Sequence, residues 1–155
     1  MENTRFSTLV LGIGNILLKD EGIGVRVIEY LQKCPLPEDV ELVDGGTSGA
    51  DLIDILSDRQ NVIIIDAADL DAPPGTVLKL TPRDWLKDRS SPLSLHDLDI
   101  PQTLAMTHIL GCAPRHVVCF GIVPEKVEPG MDLTNTLAPL VPKIADMVLE
   151  ELRKF

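Results

Sequence analysis

Apolar residues fall along this chain in short unbroken runs, separated by stretches with helical spacing. Leu9-Val10-Leu11 reads as a buried strand, broken by Gly12, Gly14 and Asn15, which suit a tight turn. Ile23, Val27, Ile28 and Leu31 then share one face of a helix over 22–32. Val40–Val43 is a short strand closed by Asp44-Gly45-Gly46-Thr47, and 49–57 a helix carrying Leu52, Ile53, Ile55 and Leu56. The run over 61–65 has no polar face, which fits a central strand covered on both sides. Pro73-Pro74-Gly75 makes a turn into an edge strand over 76–80. Residues 81–94 read as a loop or short helix. Pro101 suits the first turn of a helix that carries Leu104, Ala105, Ile109 and Leu110. Val117–Ile122 is another buried strand. Thr134 is a good N-cap for a last helix reaching Arg153, its first turns disturbed by Pro139 and Pro142. The alternation predicts a three-layer α/β/α sandwich around a mostly parallel twisted sheet.

Composition narrows the function classes. At 155 residues, one domain over 1–155 is expected, burying roughly 68–70% of its unfolded surface. The net charge of −10 disfavours nucleic acid and anionic membranes as partners. No apolar run approaches the ~20 residues that span a bilayer, and no secretory signal is visible, so membrane insertion is not expected. Cys34, Cys112 and Cys119 form no CxxC pair, which fits free thiols in a reducing cytoplasm. Nothing in the pattern calls for a partner copy, and a monomer is the expectation.

Three side chains carry the candidate chemistry. Asp20 and Glu21 stand where the first helix begins, at the carboxyl end of the first strand, where open α/β sheets put their sites. They also suit simple helix capping. The G-x-G-x-x-G of a dinucleotide turn fails, because Leu17 takes the third glycine position and two carboxylates would repel a pyrophosphate. Asp66 closes the 61–65 run, and His96 sits in Ser94-Leu95-His96-Asp97 ahead of the Pro101 helix. Each has a plain reading as a polar loop residue. Together, Glu21, Asp66 and His96 make a ligand set that suits zinc, nickel or a related divalent ion, with positions left open for water or substrate.

The segments GIGNILLKDEGIGVRVIEYL, VELVDGGTSGADLI, IIIDAAD, SLHDLDIPQTLAM and GIVPEKVEPGMDLT, in that order over nearly the whole chain, resemble the hydrogenase maturation endopeptidases. The resemblance implies an α/β/α enzyme that removes a short C-terminal peptide from the large-subunit precursor of a nickel–iron hydrogenase after nickel insertion. It carries the family's metal-contacting, catalytic residues onto Glu21, Asp66 and His96. It carries substrate recognition onto Asp44, Gly45, Gly46, Thr47 and Gly49. It implies nickel held by the precursor rather than by the free enzyme. Asp99 departs from the glycine that many relatives have there. A non-catalytic nickel-binding maturation chaperone on the same fold is the alternative.

The remaining candidates read as structural. Asp20 is expected to cap the first helix, with a supporting hydrogen bond beside the metal as the other reading. Asp69 and Asp97 read as solvated loop acids, His108 as a partly buried packing residue and His116 as a surface residue. Cys112 and Cys119 lack a histidine base, and no G-x-S-x-G elbow supports a serine hydrolase.

Overall fold

The computed structural model describes residues 6–46, 52–82, 84 and 100–155. Its strands are β1 (Thr8–Ile13), β2 (Val40–Gly46), β3 (Asn61–Ala67), β4 (Val77–Leu80) and β5 (His116–Ile122). Its helices are α1 (Ile23–Leu31), α2 (Leu52–Leu56), α3 (Ile100–Ile109) and α4 (Leu140–Leu152), with a 3-10 turn at Lys19–Gly22 leading into α1. The strands form one sheet in the order β2-β1-β3-β5-β4. All neighbours are parallel except β4, which runs antiparallel to β5 at the edge.

Side-chain alternation divides the core between two faces. Val10, Ile63, Ile65, Phe120 and Ile122 pack with α1 and α4. Leu9, Leu11, Ile13, Val62, Ile64 and Cys119 pack with Leu52 and Leu56 of α2 and Ile100 and Leu104 of α3. The expected three layers are therefore present. β1 and β3 are buried on both faces, which is why their sequences show no polar alternation.

Two glycines bring α1 unusually close to the sheet. A Cβ at Gly24 would lie 2.2 Å from the Ile65 carbonyl oxygen and 2.6 Å from that of Ile13. One at Gly12 would lie 2.3 Å from the Gly24 carbonyl oxygen. Helix and strand ends thus meet backbone to backbone. At the opposite, amino-terminal edge of the sheet, buried Arg59 donates to the Ile55 and Phe6 carbonyls and to Glu41 Oε1 at 2.6 Å, tying three segments together.

Several expectations are corrected. β2 runs on through Asp44-Gly45-Gly46, because a register shift between Gly12 and Ile13 lets the ladder continue. β3 likewise continues through Asp66 to Ala67. In α3 the buried residues are Ile100, Leu104 and Thr107; Ala105, Ile109 and Leu110 are exposed, Ile109 by 78%. His108, expected to be partly buried, is exposed, whereas His116 is exposed as expected. Thr134 does not cap the last helix. Its carbonyl accepts from Leu137 and Ala138 in a turn, and α4 begins only at Leu140. Pro142 is tolerated because it lies in the first helical turn.

Candidate active site

The strand order sets where the site lies. From β1 the chain moves outward through α1 on one face to β2, then crosses back through α2 on the other face to β3. The reversal opens a crevice at the carboxyl ends of β1 and β3, the position where open α/β sheets bind ligands. Glu21 stands in the turn after β1, and Asp66 is the penultimate residue of β3. The 3-10 turn packs against β3. Each carboxylate belongs to a residue only 5% exposed. By strand alternation Asp66 shares the face of Val62 and Ile64, the face that α2 and α3 cover. His96 lies outside the described residues, four positions before α3 begins on that same face. Among the described residues no cluster of three metal-ligating side chains occurs.

The turn bearing Glu21 is built from unusual backbone. Gly14 has φ +143, and a Cβ there would sit 2.0 Å from the Glu21 carbonyl oxygen. Its N–H donates to the Gly46 carbonyl at 3.0 Å. Gly14 therefore touches the Glu21 turn on one side and the end of β2 on the other. Asp44 Oδ1 accepts from the Gly46 N–H at 2.9 Å, and Gly46 takes the left-handed conformation at φ +49. This brings Asp44, Gly45 and Gly46 to the same sheet edge as Glu21. Thr47 and Gly49 lie outside the described residues.

Asp20 does not cap α1. Neither the 3-10 turn nor α1 has a side-chain cap. The Asp20 carboxylate instead reaches the segment over 125–134, accepting from the N–H groups of Glu125, Lys126 and Thr134 and from the Thr134 hydroxyl. That segment is bonded along the turn that bears Glu21. It is the part of the surroundings that local sequence reasoning missed. Its only signal was the GIVPEKVEPGMDLT stretch, which no local chemistry explained.

The thiols are placed for packing. Cys119 is buried, and desolvation, reinforced by the charge of Asp66, pushes its thiol well above the ordinary value of 9.0. A thiol so held carries little thiolate at neutral pH and is a poor nucleophile. Cys112 lies 3.2 Å from the Ser57 hydroxyl, away from the carboxyl edge. Asp69 is exposed, as expected, and Asp97 lies outside the described residues.

Comparison with known proteins bears on this arrangement directly. Residues 25–151 match the family model described as HycI, hydrogenase maturation protease. The chain is 37% identical over 148 residues to the hydrogenase 2 maturation protease of Escherichia coli (strain K12), covering 94% of this chain and 90% of that protein. It is 34% identical over 150 residues to the hydrogenase expression/formation protein HupD of Thiocapsa roseopersicina, covering 95% of this chain and 68% of that protein. Its fold is similar to that of the hydrogenase maturating endopeptidase HybD from E. coli, with a TM-score of 0.84 at 36% identity, over 95% of this chain and 92% of that one.

Proposed function

The chain belongs to the hydrogenase maturation protease family and is a hydrogenase maturation endopeptidase, and we propose that it removes a C-terminal peptide from a nickel–iron hydrogenase large-subunit precursor that already carries nickel. In this reading the nickel is part of the substrate. Glu21, Asp66 and His96 contact it, and Asp44, Gly45, Gly46 and Thr47 recognise the precursor around it. The reading is supported by Glu21, in the turn after β1, and Asp66, near the end of the neighbouring β3, both standing at the carboxyl edge of the sheet in a chain of this family. Two carboxylates and an imidazole are hard and borderline donors that suit a divalent nickel ion. Three protein donors leave coordination positions for the groups of the precursor itself. An ion so held supplies Lewis acidity toward the scissile carbonyl or an attacking water.

The chain's own contribution is to position and to exclude water. Glu21 and Asp66 are both buried, so the fold itself keeps bulk water away from these carboxylates. The free thiols Cys34, Cys112 and Cys119 favour the reducing cytoplasm as the place of reaction. Among the described residues no helix is long and apolar enough to cross a membrane.

The test is a gel shift of the precursor's large subunit. Wild type should shorten the nickel-loaded precursor and leave the nickel-free form at full length. Glu21→Ala, Asp66→Ala and His96→Ala should each abolish or sharply reduce shortening while remaining folded. Efficient cleavage of nickel-free precursor would overturn nickel as the recognition element. Nickel transfer to the precursor with no cleavage at all would favour the chaperone alternative.

A further inference from the structure

Asp20 is wholly buried, and among the described residues its side chain's hydrogen-bond partners all come from one distant stretch of chain. Its Oδ2 accepts from the N–H of Glu125 at 2.9 Å and of Lys126 at 3.1 Å. Its Oδ1 accepts from the N–H of Thr134 at 2.8 Å. The Thr134 hydroxyl lies 2.8 Å from Oδ2 and 3.0 Å from Oδ1. The backbone repeats the link in both directions. Lys19 N–H donates to the Gly130 carbonyl, Gly130 N–H to that of Leu17, and Asp20 N–H to that of Lys126. Arg26 of α1 adds a bond of 2.7 Å to the Met131 carbonyl.

A carboxylate removed from water needs this many donors to offset its desolvation. Helix capping needs no such arrangement. Apart from its ties to the 125–134 segment, the turn that the carboxylate fastens is weakly held within itself. It is four residues of 3-10 helix, Lys19 has φ +50, and the Glu21 N–H reaches the Leu18 carbonyl only at 3.2 Å.

We infer that Asp20 is a positioning residue, whose carboxylate clamps the 125–134 segment against the turn and thereby holds the neighbouring Glu21 carboxylate in its reacting geometry. The inference rests on the role proposed above for Glu21. It predicts an effect on the chemical step rather than on precursor binding, because a misplacement of about 1 Å is enough to cost roughly 100-fold in rate.

The test is Asp20→Asn in the full chain, assayed on the nickel-loaded precursor that wild type cleaves. The amide NH₂ of asparagine would turn a donor toward the N–H groups of Glu125 and Lys126 or of Thr134. kcat should fall by about tenfold or more with KM within about twofold of wild type. Amide exchange at Glu125, Lys126 and Thr134 should accelerate. Combined with Glu21→Gln, Asp20→Asn should cause no further loss beyond that of Glu21→Gln alone. Wild-type kcat in Asp20→Asn, a rise in KM alone, or losses that multiply in the double variant would each overturn the inference. If Glu21→Gln is as active as wild type, the role of Glu21 fails first and the inference with it. If Glu21→Gln is impaired and Asp20→Asn is not, only the inference fails. Should Asp20→Asn not fold, Thr134→Val removes a single donor and should still lower kcat by a few-fold, with Thr134→Ser restoring it. Full activity in Thr134→Val would then be the overturning result.

Discussion

Replacing Gly24 by alanine sets two opposing effects against each other. In a free helix the change is favourable by about 1 kcal/mol, because alanine is the better helix former. Here the added methyl would meet the Ile65 carbonyl oxygen at 2.2 Å, the Ile13 carbonyl oxygen at 2.6 Å and the Ile13 nitrogen at 2.9 Å. All three are backbone atoms of central strands and cannot rotate away. Carbon and oxygen do not approach closer than about 3.2 Å without repulsion, so α1 must retreat by about 1 Å and forfeit part of its packing. Overpacking of this kind costs about 3 kcal/mol. The net loss is about 2 kcal/mol, or a fall in Tm of about 4–8 °C for a chain of this length. Calorimetric unfolding of Gly24→Ala beside wild type measures it. Gly111→Ala is the control: Gly111 has φ +75 and a Cβ there would meet nothing within 4 Å beyond its chain neighbours, so only backbone strain of about 1–2 kcal/mol is expected. Gly24→Ala should also impair cleavage, since the retreat of α1 shifts the Glu21 turn that leads into it, whereas Gly111→Ala should not. A Gly24→Ala protein as stable as wild type, or more so, would refute the close-approach argument.

Three further outcomes follow from features away from the crevice. Arg59→Met should lower stability by about 2 kcal/mol in urea titration, because it removes the donors to the Phe6 and Ile55 carbonyls, yet leave cleavage unchanged, the candidate site being at the other end of the sheet. Burial pushes the Glu151 carboxyl up, but its bonds and charge pairing with Lys79 and Lys154 outweigh this and hold it below its ordinary value of 4.5. That stabilisation is present above pH 4.5 and is lost as the pH falls through the folded-state value. Lys79→Met should therefore cost a few tenths to about 1 kcal/mol at pH 7, and flatten the acid limb of a urea-midpoint profile against pH. A limb as steep as that of wild type would count against the pairing. Cys119 should resist alkylation at pH 8 in the folded protein, and Cys119→Ala should cleave like wild type. Loss of activity in folded Cys119→Ala would point to thiol chemistry.

What could be read from the sequence was whatever depends on local pattern. The runs around Leu9 and Ile63 are legible because a strand covered on both faces has no polar alternation to obscure it. The helix of Ile23, Val27, Ile28 and Leu31 is legible because its apolar stripe is clean. In α3 the pattern leaves the buried face undecided. Apolar residues occur nearly all round it, so periodicity does not single out Ile100, Leu104 and Thr107 as the buried set. The end of β2 was misjudged because a register shift, which no composition signals, carries the ladder through two glycines. Glu21 and Asp66 were legible as candidates because strand ends are where such folds hold ligands. The function of Asp20 was not, because its partners lie 105, 106 and 114 residues along the chain. For the same reason Thr134 was mistaken for a cap: its hydroxyl is committed to that carboxylate, not to the helix after it.

That separation also orders events during synthesis. β1 to β3 are complete by Ala67, and their parallel pairing can form once those residues leave the ribosome. The donors that secure Asp20 do not yet exist at that point. The bonds that join it to residues 125–134 close a loop of more than a hundred residues, and such long-range closure comes late. A nascent or truncated chain can thus own these paired strands with both candidate carboxylates and still have an unsecured turn. A candidate centre assembled in this order stays incomplete until the chain has been made as far as Thr134.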